Sequence, residues 1–286
     1  MVQNYFSAVA AAAVLLLLCS NAAAQSASSL FWRADSVQVK EIVSDKAVQY
    51  NFVGHHGPAV ENSHCALRLY FNDSGAIDVY SKSGKQMELL KYLWYPTEKQ
   101  QEEGAGCDEY LVGRTVGLGG IALWDGEKEV KLVATGGRTA RVGQTKGGSY
   151  AEIIAYGVEY MGDKVDVSIR IDVSDKSRVA TVSARELNGK KVQFLTGVNY
   201  QKGEEVIYGR KYIAVWGVHP ADVSASPSPL GAGMWFKPSK FESIEKTGDM
   251  VRLISKKTSL ISTRIVAAST KEEELDTRDK FFEYMR

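Results

Sequence analysis

The stretch 149-SYAEIIAYGVEYMGDKVDVSIRIDVSDKSRVATVSARELNGKKVQFLTGVNY-200 decides the fold class. Val165, Val167, Ile169, Ile171 and Val173 alternate with Asp166, Ser168, Arg170 and Asp172. A strand sends successive side chains to opposite faces, so this period of two places every apolar group on one side. Gly162-Asp163 before the run and Ser174-Asp175-Lys176-Ser177 after it are turn-forming sequences. Strand-like runs flank it at 150–160 and 178–187, and Asn188-Gly189 is a strong two-residue hairpin signal. A further run at 192–200 is expected to close an antiparallel meander.

The N-terminus reads differently. Residues 8–18 form an apolar segment too short to span a bilayer, and Ala22-Ala23-Ala24 before Gln25 is a small-residue cleavage site. Residues 1–24 are therefore expected to be a secretory signal, with a periplasmic or secreted mature chain and no stable membrane insertion. Bulky Leu18 before Cys19 argues against lipid attachment. The chain has 35 Lys and Arg against 34 Asp and Glu, interspersed, for a formal charge of +1. No basic stripe for nucleic acid and no charge block for a membrane surface exists. Cys65 and Cys107 remain after cleavage; they either pair or stay as two buried thiols.

Taken in order, 37–43 and 48–53 read as strands, and Gly54-His55-His56-Gly57-Pro58 as a framed loop. Cys65, Leu67, Leu69 and Phe71 alternate with Ala66, Arg68 and Tyr70, which puts Arg68 and Tyr70 together on the face away from the core. Residues 87–95 read as a short helix or an aromatic loop, 98–108 as an exposed loop, and 111–124 as a glycine-spaced strand. The C-terminal residues 271–286 have helical spacing of Leu275, Phe281, Phe282 and Met285, with Thr270 and Glu273 as a capping box. The domain plan is a signal at 1–24, one β-sandwich domain at 25–270, and a helix at 271–286.

Chemistry concentrates at His55, His56, Glu61, Arg68 and Tyr70. A histidine or tyrosine can remove a proton beside a carboxylate while an arginine holds that carboxylate. β-Elimination on a uronic acid needs this set. His56 or Tyr70 is then the base, Arg68 the clamp, and Glu61 the orienter of the histidine. His55, Lys82, Trp94, Tyr95, Asp108, Asn199 and Trp216 are expected to bind substrate. Loop and surface positions tolerate change, so His55→Ala, His56→Ala and Arg68→Ala are expected to leave the fold intact. A metal reading through His55, His56, Glu61 and His64 has no helical H-E-x-x-H spacing behind it, and calcium through Asp73, Asp78 or Asp108 has no loop motif. No phosphate loop, nucleophile elbow or CxxC is present, so no metal and no cofactor is expected.

Two resemblances follow from particular motifs. Glu186-Leu187-Asn188-Gly189-Lys190 through Gly197-Val198-Asn199-Tyr200 resembles the middle of galactose mutarotase-like β-supersandwich proteins. There the corresponding strand carries a catalytic histidine; here Asn199 stands at that position, which speaks against mutarotation. His56-Gly57-Pro58 with Glu61, Arg68-x-Tyr70-Phe71, Ile77-Asp78-Val79-Tyr80 with Lys82, Trp94-Tyr95, Asp108 to Gly113, Gly117 to Gly120 and Trp216-Gly217 resemble a secreted domain-of-unknown-function family, number 4861, of polysaccharide-degrading bacteria. That resemblance covers about residues 37–236. It implies an all-β fold, an antiparallel β-supersandwich with a short C-terminal helix, in a setting of pectin-like glycan breakdown. Fold analogy does not carry function. Three readings stand: a lyase or hydrolase of uronic-acid oligosaccharides, a non-catalytic carbohydrate-binding protein, and a sugar epimerase or mutarotase.

Overall fold

The computed structural model describes residues 26–45, 49–92, 96–220 and 227–286. The signal segment, Trp94 and Tyr95 lie outside them. Three antiparallel sheets make up the body. The largest has nine strands, in edge-to-edge order Glu205–Tyr208, Tyr212–Gly217, Leu230–Trp235, Leu260–Ser269, Ser177–Glu186, Asp163–Ser174, Gly148–Tyr160, Arg138–Thr145 and Glu41–Ser44. A second sheet, here the site sheet, runs Ser26–Ser29, Ala59–Asn62, Ala66–Leu69, Ile77–Ser81 and Cys107–Asp108. The third runs Phe241–Lys246, Met250–Ser255, Phe194–Asn199, Ala122–Trp124 and Glu129–Val130.

Both five-stranded sheets share one apolar core with the nine-stranded sheet. The alternation of the deciding stretch explains why: Val165, Val167, Ile169, Ile171 and Val173 are all buried in that core. Their intervening Asp166, Arg170 and Asp172 stay partly open, with Arg170 paired to Asp172. Each buried Val or Ile contributes about 1.5–3 kcal/mol from removed apolar surface. Register is direct on both flanks, with Ile169 opposite Ile153 and Ala184. The turn joining Tyr160 to its partner Asp163 uses Met161 and Gly162, both at positive φ (52° and 83°), which matches the strands' right-handed twist.

The meander ends one strand earlier than expected. Ser177–Glu186 pairs next with Leu260–Ser269, and Phe194–Asn199 crosses into the third sheet. Gly189 does adopt a left-handed turn conformation (φ 79°), but this turn leads the chain out of the nine-stranded sheet and into the third. Only Ala122–Trp124 of the glycine-spaced run is strand. Gly113, Gly117 and Gly119 have φ of 62°, 74° or between, which breaks the extended backbone into turns. Glu98–Glu102 is a single helical turn, closed by a Thr97–Gln100 capping box, where a plain loop was expected. Cys65 and Cys107 are separate, buried thiols.

The C-terminal helix spans Arg278–Met285, shorter than the sequence pattern suggests, and Thr277 rather than Thr270 caps it. Phe281, Phe282 and Met285 pack on Ala214, Trp216, Val266 and Ala268, on the outer face of the nine-stranded sheet. Gly231 and Gly233 leave room for them. A Cβ at 231 would come within 2.7 Å of the Phe281 ring, and one at 233 within 2.5 Å of Met285 Sδ. The Trp235 indole donates to Met285 O at 3.0 Å and latches the end. Gly231→Val should therefore destabilise the protein by about 1–3 kcal/mol in denaturant unfolding, from overpacking. Tryptophan emission should shift to the red as the helix lifts; an unchanged midpoint and spectrum would contradict this packing.

Candidate functional site

The site sheet has two buried faces. Leu67, Leu69, Val60, Ile77 and Val79 join the main core. On the other face, Ala59, Ala66 and Tyr80 are covered by Leu89. The alternation expected for 65–71 holds, yet the second face is interior rather than solvated. Arg68 is 0% exposed. It stands directly opposite Asp78 on the neighbouring strand. One of its nitrogens, Nη2, lies 2.8 Å from Asp78 Oδ2 and 2.7 Å from Asp108 Oδ2. The Tyr70 hydroxyl donates to the same Asp78 oxygen at 2.8 Å. Burial raises the Asp78 carboxyl well above its ordinary range, against the pull of Arg68. Burial likewise raises the Tyr70 phenol, so it remains a donor.

Beside this cluster is a cavity of about 280 Å³, with Tyr50, His56, Tyr70, Asp108, Tyr110 and Leu111 in its wall. It is near the lower end of small-ligand pockets. Of the expected residues, His56, Tyr70 and Asp108 meet there. Its histidine sits on an unusual backbone: His55 and His56 both have positive φ, 55° and 60°. Such conformations cost on the order of 1 kcal/mol each in non-glycine residues and gather at functional sites. They persist here because Gly57 presses on the site sheet, where any Cβ would overlap Leu69 O, and because Phe71 N donates to His56 O. The two rings consequently diverge.

The His56 ring stacks on Tyr50, with centroids 3.8 Å apart, and meets Tyr70 edge-on at 6.0 Å. Its Nδ1 lies 3.1 Å from Tyr50 O. A carbonyl only accepts, so Nδ1 carries the proton and the lone pair is on Nε2. Burial, with smaller contributions from the charges of Arg68 and Arg33, lowers this imidazole to about 4. His56 is thus neutral at physiological pH, with the tautomer of a base.

His55 points the other way. It is wholly buried, edge-on to Phe31 at 5.3 Å, and burial lowers it to about 3. It packs in the interior and binds nothing in the cavity. Arg68 is no open clamp, since two aspartates flank it. Glu61 does not orient the histidine: it pairs with Lys82 and accepts from Glu88 N and Leu89 N at 2.8 and 2.9 Å. Glu61 and Lys82 are a structural pair that fastens the 86–89 segment to the site sheet. Trp216 lies beneath the terminal helix, 5.7 Å from Phe281. Asn199 reaches the cavity only through Leu111, whose carbonyl accepts its Nδ2 at 2.8 Å. Among the described residues no three His, Cys, Asp or Glu gather to hold a metal ion. No helix there is long and apolar enough to cross a membrane.

Three contributors were missed from sequence. Tyr50 supplies the stacking face for His56. Tyr110 stands in the cavity wall but is only 2% exposed, and its buried hydroxyl has no hydrogen-bond partner among the described residues. His219 stacks on Tyr110 at 4.4 Å and accepts from Leu111 N through Nδ1 at 2.9 Å. Its Nε2 lies 3.4 Å from Glu204 Oε1. Burial lowers His219 to about 4 and raises Glu204 to about 7. The pair holds the Leu111 rim from one side and Asn199 holds it from the other. Only pairing between strands distant in sequence brings His219 to Leu111, so no local spacing signals it.

Two tests follow from this arrangement. Arg68→Leu leaves buried Asp78 and part-buried Asp108 without their cation and should cost about 3–5 kcal/mol of stability in denaturant unfolding; a neutral effect would mean the guanidinium is not structural. Folded Glu204 keeps its proton to about 7, whereas the unfolded side chain releases it near its ordinary 4.5. Its contribution to stability is therefore complete below 4.5 and lost as pH rises through 7. Unfolding measured across that window should show this loss in the wild type and not in Glu204→Gln.

No curated protein sequence matches the chain. Among solved structures it is similar to a 4-alpha-glucanotransferase from Thermococcus litoralis, at 8% identity and a TM-score of 0.36, covering 82% of this chain and 40% of that one. It is also similar to the GH36 alpha-galactosidase AgaB from Geobacillus stearothermophilus, at 11% identity and 0.31, covering 84% and 41%. A variant of the GH36 alpha-galactosidase AgaA from the same organism, in complex with raffinose, gives 12% and 0.29, covering 80% and 41%. The chain thus spans well under half the length of each of these structures. The family model for "Domain of unknown function (DUF4861)" matches residues 20–286, and the chain belongs to that family.

Proposed function

We propose that the chain is an exported carbohydrate-active protein whose cavity holds one sugar ring for acid–base chemistry. One observation carries this reading: groups shifted by burial crowd a single small cavity, around a neutral histidine on left-handed backbone. Tyr50, Tyr70 and Tyr110 offer aromatic surface to the apolar face of a ring. Asp108 and His56 Nε2 offer acceptors to its hydroxyls. His56 is the base in this proposal, and Asp108 binds hydroxyls beside it.

The geometry favours a neutral ring over a uronic acid. A uronate carboxylate would enter next to Asp108, and the nearby guanidinium already lies between two aspartates. Elimination on a uronate needs a cation at that carboxylate, whereas hydrolysis of a neutral glycoside does not. A second reading, a non-catalytic sugar receptor, has its own support. Glycoside hydrolysis ordinarily uses two carboxyl groups. The Glu109 side chain is shut away by Lys271, Ser228 and Cys107, which leaves Asp108 as the open carboxylate of the cavity wall.

A panel of neutral and uronic-acid oligosaccharides separates these readings. Calorimetric titration reads binding, reducing-end release reads hydrolysis, and ultraviolet absorbance of unsaturated ends reads elimination. Neutral sugars should bind, and His56→Ala and Asp108→Asn should each weaken them about tenfold or more, as expected for hydrogen bonds to charged or oriented groups. Binding should hold steady from neutral pH down to about 5, since His56 stays neutral there. Equal binding by wild type and both variants would remove the cavity as the site; unsaturated products would restore the elimination reading.

A further inference from the structure

A second concavity lies against the same turn that forms the His56 wall. It is open, about 620 Å³, and lined by Trp32, Arg33, Ala34, Asp35, Asn51 and Phe52, with Gln49 at its base. Residues 49–52 are thus shared out. Tyr50 faces the cavity, while Gln49, Asn51 and Phe52 face the cleft. Phe52 is 64% exposed, an unusual state for a large aromatic side chain. Its backbone is nevertheless held on both sides: Phe52 N donates to Gln49 O at 3.0 Å, and Arg33 N donates to Phe52 O at 2.8 Å. Trp32, half-buried, bridges to Val53 through the backbone on the same two strands of chain. Two aromatic side chains are therefore presented to solvent on a fixed support.

The cleft neighbours the cavity in two respects, although the two share no lining residue. Arg33 lines the cleft and donates through Nη1 to Asn51 O at 3.3 Å, and its charge is one of those that depress the His56 imidazole. The segment from Gln49 to His56 separates the two hollows along a single short stretch of chain. Among the described residues its wall carries one cation and one anion, Arg33 and Asp35, which balance in charge. Exposed aromatic faces rimmed by amide, carboxylate and guanidinium groups match the alternating apolar faces and hydroxyl edges of sugar rings.

We propose that this cleft is a second sugar subsite, taking the rings next to the one held at His56 and Asp108, so that the protein binds a neutral oligosaccharide rather than a monosaccharide. The proposal rests on the sugar reading of the cavity and adds the direction in which the chain of rings runs, over Phe52 and Trp32.

The test is calorimetric titration of the full mature chain with glucose, galactose and xylose and with their di-, tri- and tetrasaccharides. Wild-type affinity should rise about tenfold or more from mono- to trisaccharide, which is about 1.4 kcal/mol. Phe52→Ala should bring the trisaccharide back to monosaccharide affinity and leave the monosaccharide unchanged. Tryptophan emission should change with chain length in wild type and lose that dependence in Trp32→Phe. An undiminished length dependence in Phe52→Ala overturns the subsite, as does an equal loss for every length, which would mean that Phe52 acts on the cavity itself. Binding without length dependence in wild type sinks this inference alone; no binding at any length sinks the cavity reading and this inference with it.

Discussion

A guanidinium sealed between two carboxylates governs this molecule's candidate site. Arg68, Asp78 and Asp108 come from three different strands of the site sheet, and a single nitrogen holds both acids. Taking three ions out of water is expensive unless each finds its counter-charge and hydrogen bonds. Asp78 receives the Tyr70 hydroxyl and the Val79 amide in addition to Arg68. The cluster fixes where Tyr70 and Asp108 stand, and hence the floor of the cavity. The same commitment bears on the proposed ligand. A cation that already neutralises the protein's own acids has little left for an acidic sugar.

Around that floor the wall is built from backbone rather than from more charge. The Gly54–Gly57 turn delivers His56 by twisting two successive residues into left-handed conformations. The 109–113 rim is pinned at Leu111, its amide on His219 and its carbonyl on Asn199 and Gln201. Glu61 and Lys82 do a parallel job one layer away, fastening the 86–89 segment over Tyr80 and Ala66. Buried polar side chains in this protein thus serve mainly as fasteners between sheet and loop, and the groups open to a ligand are few.

The layered antiparallel architecture was legible because strands with one buried face write their period into the sequence. Val165 to Val173 and Cys65 to Phe71 both point inward as their alternation requires. The same rule misled at Arg68, because period two tells which side chains share a face and not whether that face meets water. His56, Tyr70 and Asp108 were recognisable as chemically capable residues, and they do meet. Glu61 and His55 carry the same functional groups as two of these, and Lys82 a cation, yet the fold places all three in its interior. Tyr110 and His219 were invisible since 108 residues separate His219 from the amide it accepts. The Asn188-Gly189 turn was correctly placed but its outcome was not: a turn motif specifies local backbone and leaves open which sheet the next strand joins.

The tandem left-handed pair at His55 and His56 also restricts the alphabet open to those two positions. Only glycine adopts that backbone without penalty; asparagine, aspartate and histidine tolerate it far better than β-branched residues do. Drift by valine, isoleucine or threonine is therefore closed off by the main chain itself, whatever a ligand demands. The imidazole at 56 is one of a handful of side chains the turn can carry, and the only one of that handful with a basic ring nitrogen.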